Sequence, residues 1–205
     1  GGGRGNAAQH SQSLDAMWAQ IPGLKVVAPA TPRDAKGLLK AAIRDDNPVL
    51  LIEHKLLYNT KGEVPDGDWV TPIGKAEVLR PGTDVTIAAL SRSVLLALEA
   101  AETLAKEGIS AEVVDVRSLR PFDADTILES VRRTHRLVVV HEAAPFCSIP
   151  SEIAATVQER AFDWLDAPIA RVTGADSPVA YSKPLEDAQL PGPTQIAAAA
   201  RATLR

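Results

Sequence analysis

The sequence predicts an α/β fold, with a mostly parallel sheet flanked by helices. Three observations carry this. Strand-like and helix-like patterns alternate strictly from Asp84 onward, which calls for crossover helices joining parallel strands. The run Leu137-Val138-Val139-Val140 is apolar throughout, as a strand buried on both faces should be. Glycines and prolines fall mostly between apolar runs, as punctuation and not as low-complexity tracts.

The elements follow in order. Gly1-Gly2-Gly3-Arg4-Gly5-Asn6 lacks the apolar core of a signal peptide. It reads either as a flexible extension or as a stretch within a natural domain. Leu14, Met17, Trp18 and Ile21 recur at i, i+3, i+4 and i+7, which predicts a helix with one buried face. Lys25 to Ala28 reads as a strand. Thr31-Pro32-Arg33-Asp34 then supplies a cap, a proline at the first helical position and an acid in the first turn. Leu38, Leu39, Ala42 and Ile43 would form that helix's apolar face, and Asn47-Pro48 stops it. Val49 to Glu53 is a second strand.

Residues 59–83 are rich in Gly, Pro and charge, with poor apolar periodicity, and read as an interdomain linker. Val85 to Ala89 opens a second unit. A helix follows through Val94, Leu98, Ala101 and Leu104, ended by Gly108. Ala111 to Val116 is a strand, and Asp123 caps a helix carrying Ile127, Leu128 and Val131. After the Leu137 to Val140 strand come a helix between Ser151 and Phe162, a strand at Ile169 to Val172, and a last helix from Thr194 to Leu204.

Composition narrows the function. With 205 residues, 45% hydrophobic and 23% charged, the chain suits one or two soluble domains with a sizeable core. A net charge of −4 without a basic stripe argues against nucleic acid. No apolar run reaches the length of a membrane span. A single cysteine, Cys147, excludes an internal disulfide framework and suits a reducing compartment.

Few residues could carry chemistry. His10 sits in a polar turn among Gln9, Ser11 and Gln12, where an imidazole can exchange a proton near neutral pH; the alternative is a capping or packing histidine. Ala42-Ile43-Arg44-Asp45-Asp46-Asn47-Pro48 reads as a helix end whose free carbonyls, joined by Asp and Asn oxygens, could hold a hard cation. His141-Glu142 follows a buried strand, at the carboxyl edge where open α/β sheets place ligands. His54 and His135 read as surface or packing residues, and Cys147 has no neighbour marking a nucleophile. Dinucleotide, phosphate-loop and zinc motifs are missing.

Gln9-His10-Ser11-Gln12 followed by Gly23-Leu24-Lys25-Val26-Val27-Ala28-Pro29 resembles the β subunit of the thiamine-diphosphate-dependent, decarboxylating component of 2-oxo acid dehydrogenase complexes. Arg117-Ser118-Leu119-Arg120-Pro121-Phe122-Asp123, Asp166-Ala167-Pro168, Val172-Thr173-Gly174-Ala175-Asp176-Ser177-Pro178 and Leu185-Glu186-Asp187 extend the resemblance along the chain. It implies the second half of a pyrimidine-binding domain over 1–58, a linker over 59–83, and a complete transketolase-type C-terminal domain over 84–205. It further implies that His10 lies beside thiamine diphosphate and assists proton transfer or substrate positioning. Main-chain oxygens at Ala42, Ile43, Asp45 and Asn47 would hold a structural potassium ion. His141-Glu142 falls in a region of subunit contact.

The resemblance also implies a pyruvate dehydrogenase-type reaction: decarboxylation of a 2-oxo acid and passage of the acyl unit to a lipoyl group. Implied partners are an α subunit holding the diphosphate and magnesium, a second β subunit in an α2β2 heterotetramer, and the dihydrolipoamide acyltransferase core. The family's activating glutamate is expected upstream of Gly1, so this stretch alone is expected to be inactive. The alternative is a non-catalytic assembly and acyltransferase-docking module; a sugar-phosphate transketolase relative is a third reading. The compartment would be the bacterial cytoplasm or, in a eukaryote, the mitochondrial matrix. Motifs around Glu53 to Pro65 lean to pyruvate or acetoin, and His141-Glu142-Ala143 to acetoin or branched-chain substrates, with pyruvate as the default.

Overall fold

A computed structural model describes all 205 residues. The chain opens with two short helices, α1 (Ala7–Ser11) and α2 (Asp15–Ala19), then β1 (Lys25–Val27), α3 (Pro32–Arg44) and β2 (Val49–Leu51). A 3-10 turn over Lys55–Asn59 leads to β3 (Glu77–Arg80), β4 (Val85–Ala89), α4 (Ser93–Ala105), β5 (Ala111–Asp115) and β6 (Ser118–Arg120). The remainder is α5 (Ala124–Thr134), β7 (Leu137–Val140), α6 (Ile149–Ala161), β8 (Ala170–Val172), α7 (Lys183–Gln189) and α8 (Pro193–Ala202).

Five strands form the main sheet in the order β3-β5-β4-β7-β8, parallel except for the antiparallel edge strand β3. The fully apolar run predicted at Leu137 to Val140 is the strand beside the centre, and every residue of it is buried. One face is covered by α4 and α8, whose contact is lined by Ala97, Ala100, Ala101, Ala197 and Ala200. Small side chains let these two helices lie close to one another and to the sheet. The other face carries α5 and α6 through Ile127, Val131, Ile153 and Val157. From β4 the chain crosses to β5 on one side and returns through α5 to β7 on the other. The crevice between the carboxyl ends of β4 and β7 is therefore a topological switch point.

A smaller sheet, β2-β1-β6, joins the two halves. β1 and β2 run parallel, while β6 from the second half pairs antiparallel with β1, Val27 opposite Ser118. The core follows suit: Ala19, Val26 and Ala28 pack in one cluster with Ala88, Val114 and Val139.

Several expectations change. The irregular stretch 59–83 contains β3, which closes the edge of the main sheet; with only Val78 and Leu79 between two charged residues, it is too short to stand out in sequence. His10, expected in a polar turn, lies in the last turn of the short helix α1. The predicted buried stripe of Leu14, Met17, Trp18 and Ile21 is exposed; α2 buries Asp15 and Ala19 instead. On α3, Leu38 is fully buried, but Leu39 and Ile43 face outward and the helix's other buried residues are Asp34 and Gly37. β6 and α7 are short elements that periodicity did not reveal.

Candidate functional site

The segment bearing His10 crosses the carboxyl end of the main sheet. The glycine run that precedes it is packed: Gly2 is buried, and a side chain at Gly1 would collide with the His54 ring and the Glu142 carboxylate. Ala7, just ahead of His10, has φ +52, a conformation that L-residues adopt rarely and that is often held in place near functional groups. The His10 ring is exposed and bonds to no protein group, while its carbonyl accepts from Lys55 Nζ at 3.1 Å. Both ring nitrogens are free for a ligand or proton.

Behind it, at the end of β7, two buried His–carboxylate pairs meet the first half of the chain. His54 Nε2 lies 3.0 Å from both oxygens of Glu142, and its Nδ1 accepts the Leu56 backbone N–H at 3.1 Å. That acceptor role leaves Nε2 as the nitrogen that donates to Glu142. Ser13 Oγ donates to the same carboxylate at 2.7 Å. Burial alone would push the Glu142 carboxyl up, but the hydrogen bonds from His54 and Ser13 hold it at about 2. Next to it, His141 Nε2 sits 3.1 Å from Asp15 Oδ2, off the line needed for a hydrogen bond, and His141 Nδ1 is unpartnered. Asp15 is nonetheless lowered, burial being outweighed by His141.

The structure thus places His141 and Glu142 at the carboxyl edge the sequence indicated, where they hold the two halves of the chain together. Sequence reasoning missed their partners. His54, read as surface or packing, is buried, and no spacing links it to its partner 88 positions away. His135 caps α5 in a left-handed conformation and stacks on Trp164.

The helix end at Ala42 to Asn47 lies apart from this cluster. Asp45 accepts from Lys25 Nζ through one oxygen and from Asn47 N and Nδ2, each at 2.9 Å, through the other; the Lys25 and Asn47 bonds bring it down to about 2. The Ala42 carbonyl accepts Asp45 N–H at 3.4 Å. Both Asp45 oxygens are already taken by protein groups, so this carboxylate fits a cation poorly. One bound here would rest on main-chain oxygens and compete with the Lys25 ammonium. No group of three or more His, Cys, Asp or Glu side chains is placed to hold a metal ion.

A second buried network ties α3 to the rest. Arg117 Nη1 donates to Asp34 at 3.0 Å and to Glu77 at 2.7 Å, Thr71 Oγ1 donates to Asp34 at 3.1 Å, and Arg33 pairs with Glu77. The widest cleft, about 790 Å³, runs past Gln20, Lys25, Arg120, Phe122, Cys147 and Glu152 and contains none of the sequence-predicted site residues. A cleft of about 290 Å³ begins at Ser11 and reaches Glu142.

Comparison with known proteins agrees with this fold. Residues 1–61 match the family described as Transketolase, pyrimidine binding domain, and residues 74–196 match Transketolase, C-terminal domain. The chain is 54% identical over 205 residues to the acetoin:2,6-dichlorophenolindophenol oxidoreductase subunit beta of Cupriavidus necator, covering all of this chain and 61% of the relative. It is 52% identical over 209 residues to the mitochondrial pyruvate dehydrogenase E1 component subunit beta of Caenorhabditis elegans, covering all of this chain and 59% of that protein. The chain therefore spans about three fifths of the length of these relatives. Among solved structures, one described as a split gene transketolase, an inactive beta4 tetramer, superposes with a TM-score of 0.81 at 29% identity, over 96% of this chain and 63% of that one.

Proposed function

Because the chain belongs to the family of transketolase-type pyrimidine-binding and C-terminal domains, we propose that it works as the β subunit of a thiamine diphosphate-dependent 2-oxo acid dehydrogenase of the pyruvate dehydrogenase type. The observation that carries this reading is His10: an exposed imidazole with both nitrogens free, on a segment fixed by packing. Thiamine diphosphate, when bound, supplies the electron sink that lets carbon dioxide leave a 2-oxo acid. His10 would then hold or move a proton at one ring nitrogen beside the substrate. The diphosphate and magnesium are assigned to an α subunit, and the acyl unit to the lipoyl group of an acyltransferase core. The same reading includes a potassium ion on the main-chain oxygens near Ala42, Ile43, Asp45 and Asn47.

Exposed Leu14, Met17, Trp18, Ile21, Phe146, Tyr181 and Leu185 support assembly with α and β partners, since apolar side chains on this scale are normally covered. They also favour the second reading, an assembly and docking module without catalysis. No helix is long and apolar enough to cross a membrane.

The test is dye-coupled turnover by the full-length subunit assembled with its α partner, with pyruvate and with acetoin, against the same assembly carrying His10→Ala. A loss of about 10²-fold or more with the assembly intact is expected. Unchanged turnover would demote His10 and favour the assembly reading. Acetoin turned over in preference to pyruvate would correct the substrate and leave the role of His10 standing.

A further inference from the structure

We propose that Glu186 and Glu142 are positioning residues for His10, so that the C-terminal half of the chain sets the place of a group belonging to the first half. This rests on the reading of His10 given above. The argument begins with a shortfall. α1 has five residues, too few to persist without outside support, and His10 sits in its exposed last turn. Something outside the helix must hold it.

Two carboxylates do so: Glu186 holds the segment before His10, and Glu142 holds it both before and after. Glu186 is fully buried on α7, and its two oxygens accept the backbone N–H groups of Gly3 and Gly5, each at 2.8 Å, across more than 180 residues of sequence. No cation pairs with it; the aligned amides alone balance its charge, as backbone amides in turns do for anions. Gly3 and Gly5 have φ +99 and +65, which makes these two amides converge, and a side chain at Gly3 would strike Leu56. Glu142, at the end of β7, accepts Gly2 N–H at 3.2 Å before His10 and Ser13 Oγ at 2.7 Å after it. The His54 ring fixes Glu142 in turn. Lys55 closes the arrangement on the His10 carbonyl.

Each acid and its amides are mutually dependent. Moving the Gly1–Asn6 segment would strand a buried carboxylate, and removing the carboxylate would leave the part-buried N–H groups of this strap without their acceptor. The position of His10 is therefore set by a double clamp and not by its own helix. Glu186 matters most, because its only side-chain partners are the two amides of the strap.

The experiment uses the full-length subunit assembled with its α partner. Glu186→Ala and Glu186→Gln are compared with wild type, each alone and combined with His10→Ala. We expect kcat to fall at least tenfold with KM within about twofold, and Glu186→Gln, which keeps one accepting oxygen, to fall less. In the His10→Ala background the same substitutions should cost less than twofold, because both changes remove one function. Hydrogen–deuterium exchange should show faster exchange in residues 1–13 with β4 and β7 unchanged. An equal loss in both backgrounds, or unchanged exchange in residues 1–13, would overturn the proposal. Should Glu186→Ala fail to assemble, Glu186→Gln carries the same comparisons. Should His10→Ala alone leave turnover unchanged, it is the functional reading of His10 that fails, and exchange still decides whether Glu186 holds the strap.

Discussion

Asp115 ends β5 with no exposed surface, beside Asp34 and Glu77. Two arginines, Arg33 and Arg117, already balance those two acids. Burial first, and then the Asp34 charge, push the Asp115 carboxyl up to about 8, so it is held neutral at pH 7. A raised folded-state value makes stability fall as pH rises: below about pH 4 both states are protonated, and between there and about pH 8 only the unfolded chain ionises. Asp115→Asn cannot ionise and should flatten this limb, gaining on the order of 2 kcal/mol or more near pH 7.5. Urea midpoints measured from pH 5 to 8 check it, and parallel curves for both proteins would refute the assignment. Glu142 has the opposite sign. Held at about 2, it contributes stability above the ordinary carboxylate range, and this is lost as pH falls from about 4.5 toward 2. Glu142→Gln should therefore be destabilised at neutral pH and show a shallower acid limb.

At the scale of elements, the caps carry the argument. Thr31 accepts Asp34 N–H at 3.1 Å, as the Thr-Pro-x-Asp order implies. Asp123 accepts Thr126 N–H at 3.3 Å at the head of α5, and its other oxygen accepts Thr126 Oγ1 at 2.8 Å and Ala76 N–H at 3.2 Å. The cap on α5 thus also fastens the segment entering β3. Asp123→Ala should cost about 1–2 kcal/mol, the upper part of the capping range, because it frees Thr126 Oγ1 and Ala76 N–H besides the capped N–H. Chemical denaturation measures this, and a change under about 0.5 kcal/mol would mean that none of the three bonds contributes. Caps of this kind are legible because they depend on residues three apart. Strands β3 and β6 were not, being too short to show a period and existing only through β5 and β1, which pair with them.

For the molecule as a whole, the two halves share a sheet, a core and two buried ionic clusters. β6 completes the small sheet, Val26 and Ala28 pack with Val114 and Val139, and Arg117 pairs with Asp34 across 83 residues. Such sharing leaves neither half able to open alone without exposing apolar surface and unpaired charge. Denaturation followed by tryptophan fluorescence, with Trp18 and Trp69 in the first half and Trp164 in the second, should coincide with far-ultraviolet circular dichroism. Two separated transitions would show that the halves are independent.

Local rules read much of this chain well. The alternation of strands and helices, the doubly buried Leu137 to Val140, and the caps at Thr31 and Asp123 are set by neighbours within a few residues, so periodicity reveals them. His10 and the Leu185-Glu186-Asp187 motif were singled out only through resemblance. Contacts between distant residues lay beyond that reach: His54 with Glu142, Glu186 with Gly3 and Gly5, Arg117 with Asp34. The same holds for the faces of α2 and α3. An apolar stripe states that a surface will be covered, but what covers it is fixed by how the chain packs and assembles. Here Leu14, Met17, Trp18 and Ile43 remain outward while acids lie inside, because the acids find histidine and arginine partners that only folding brings within reach.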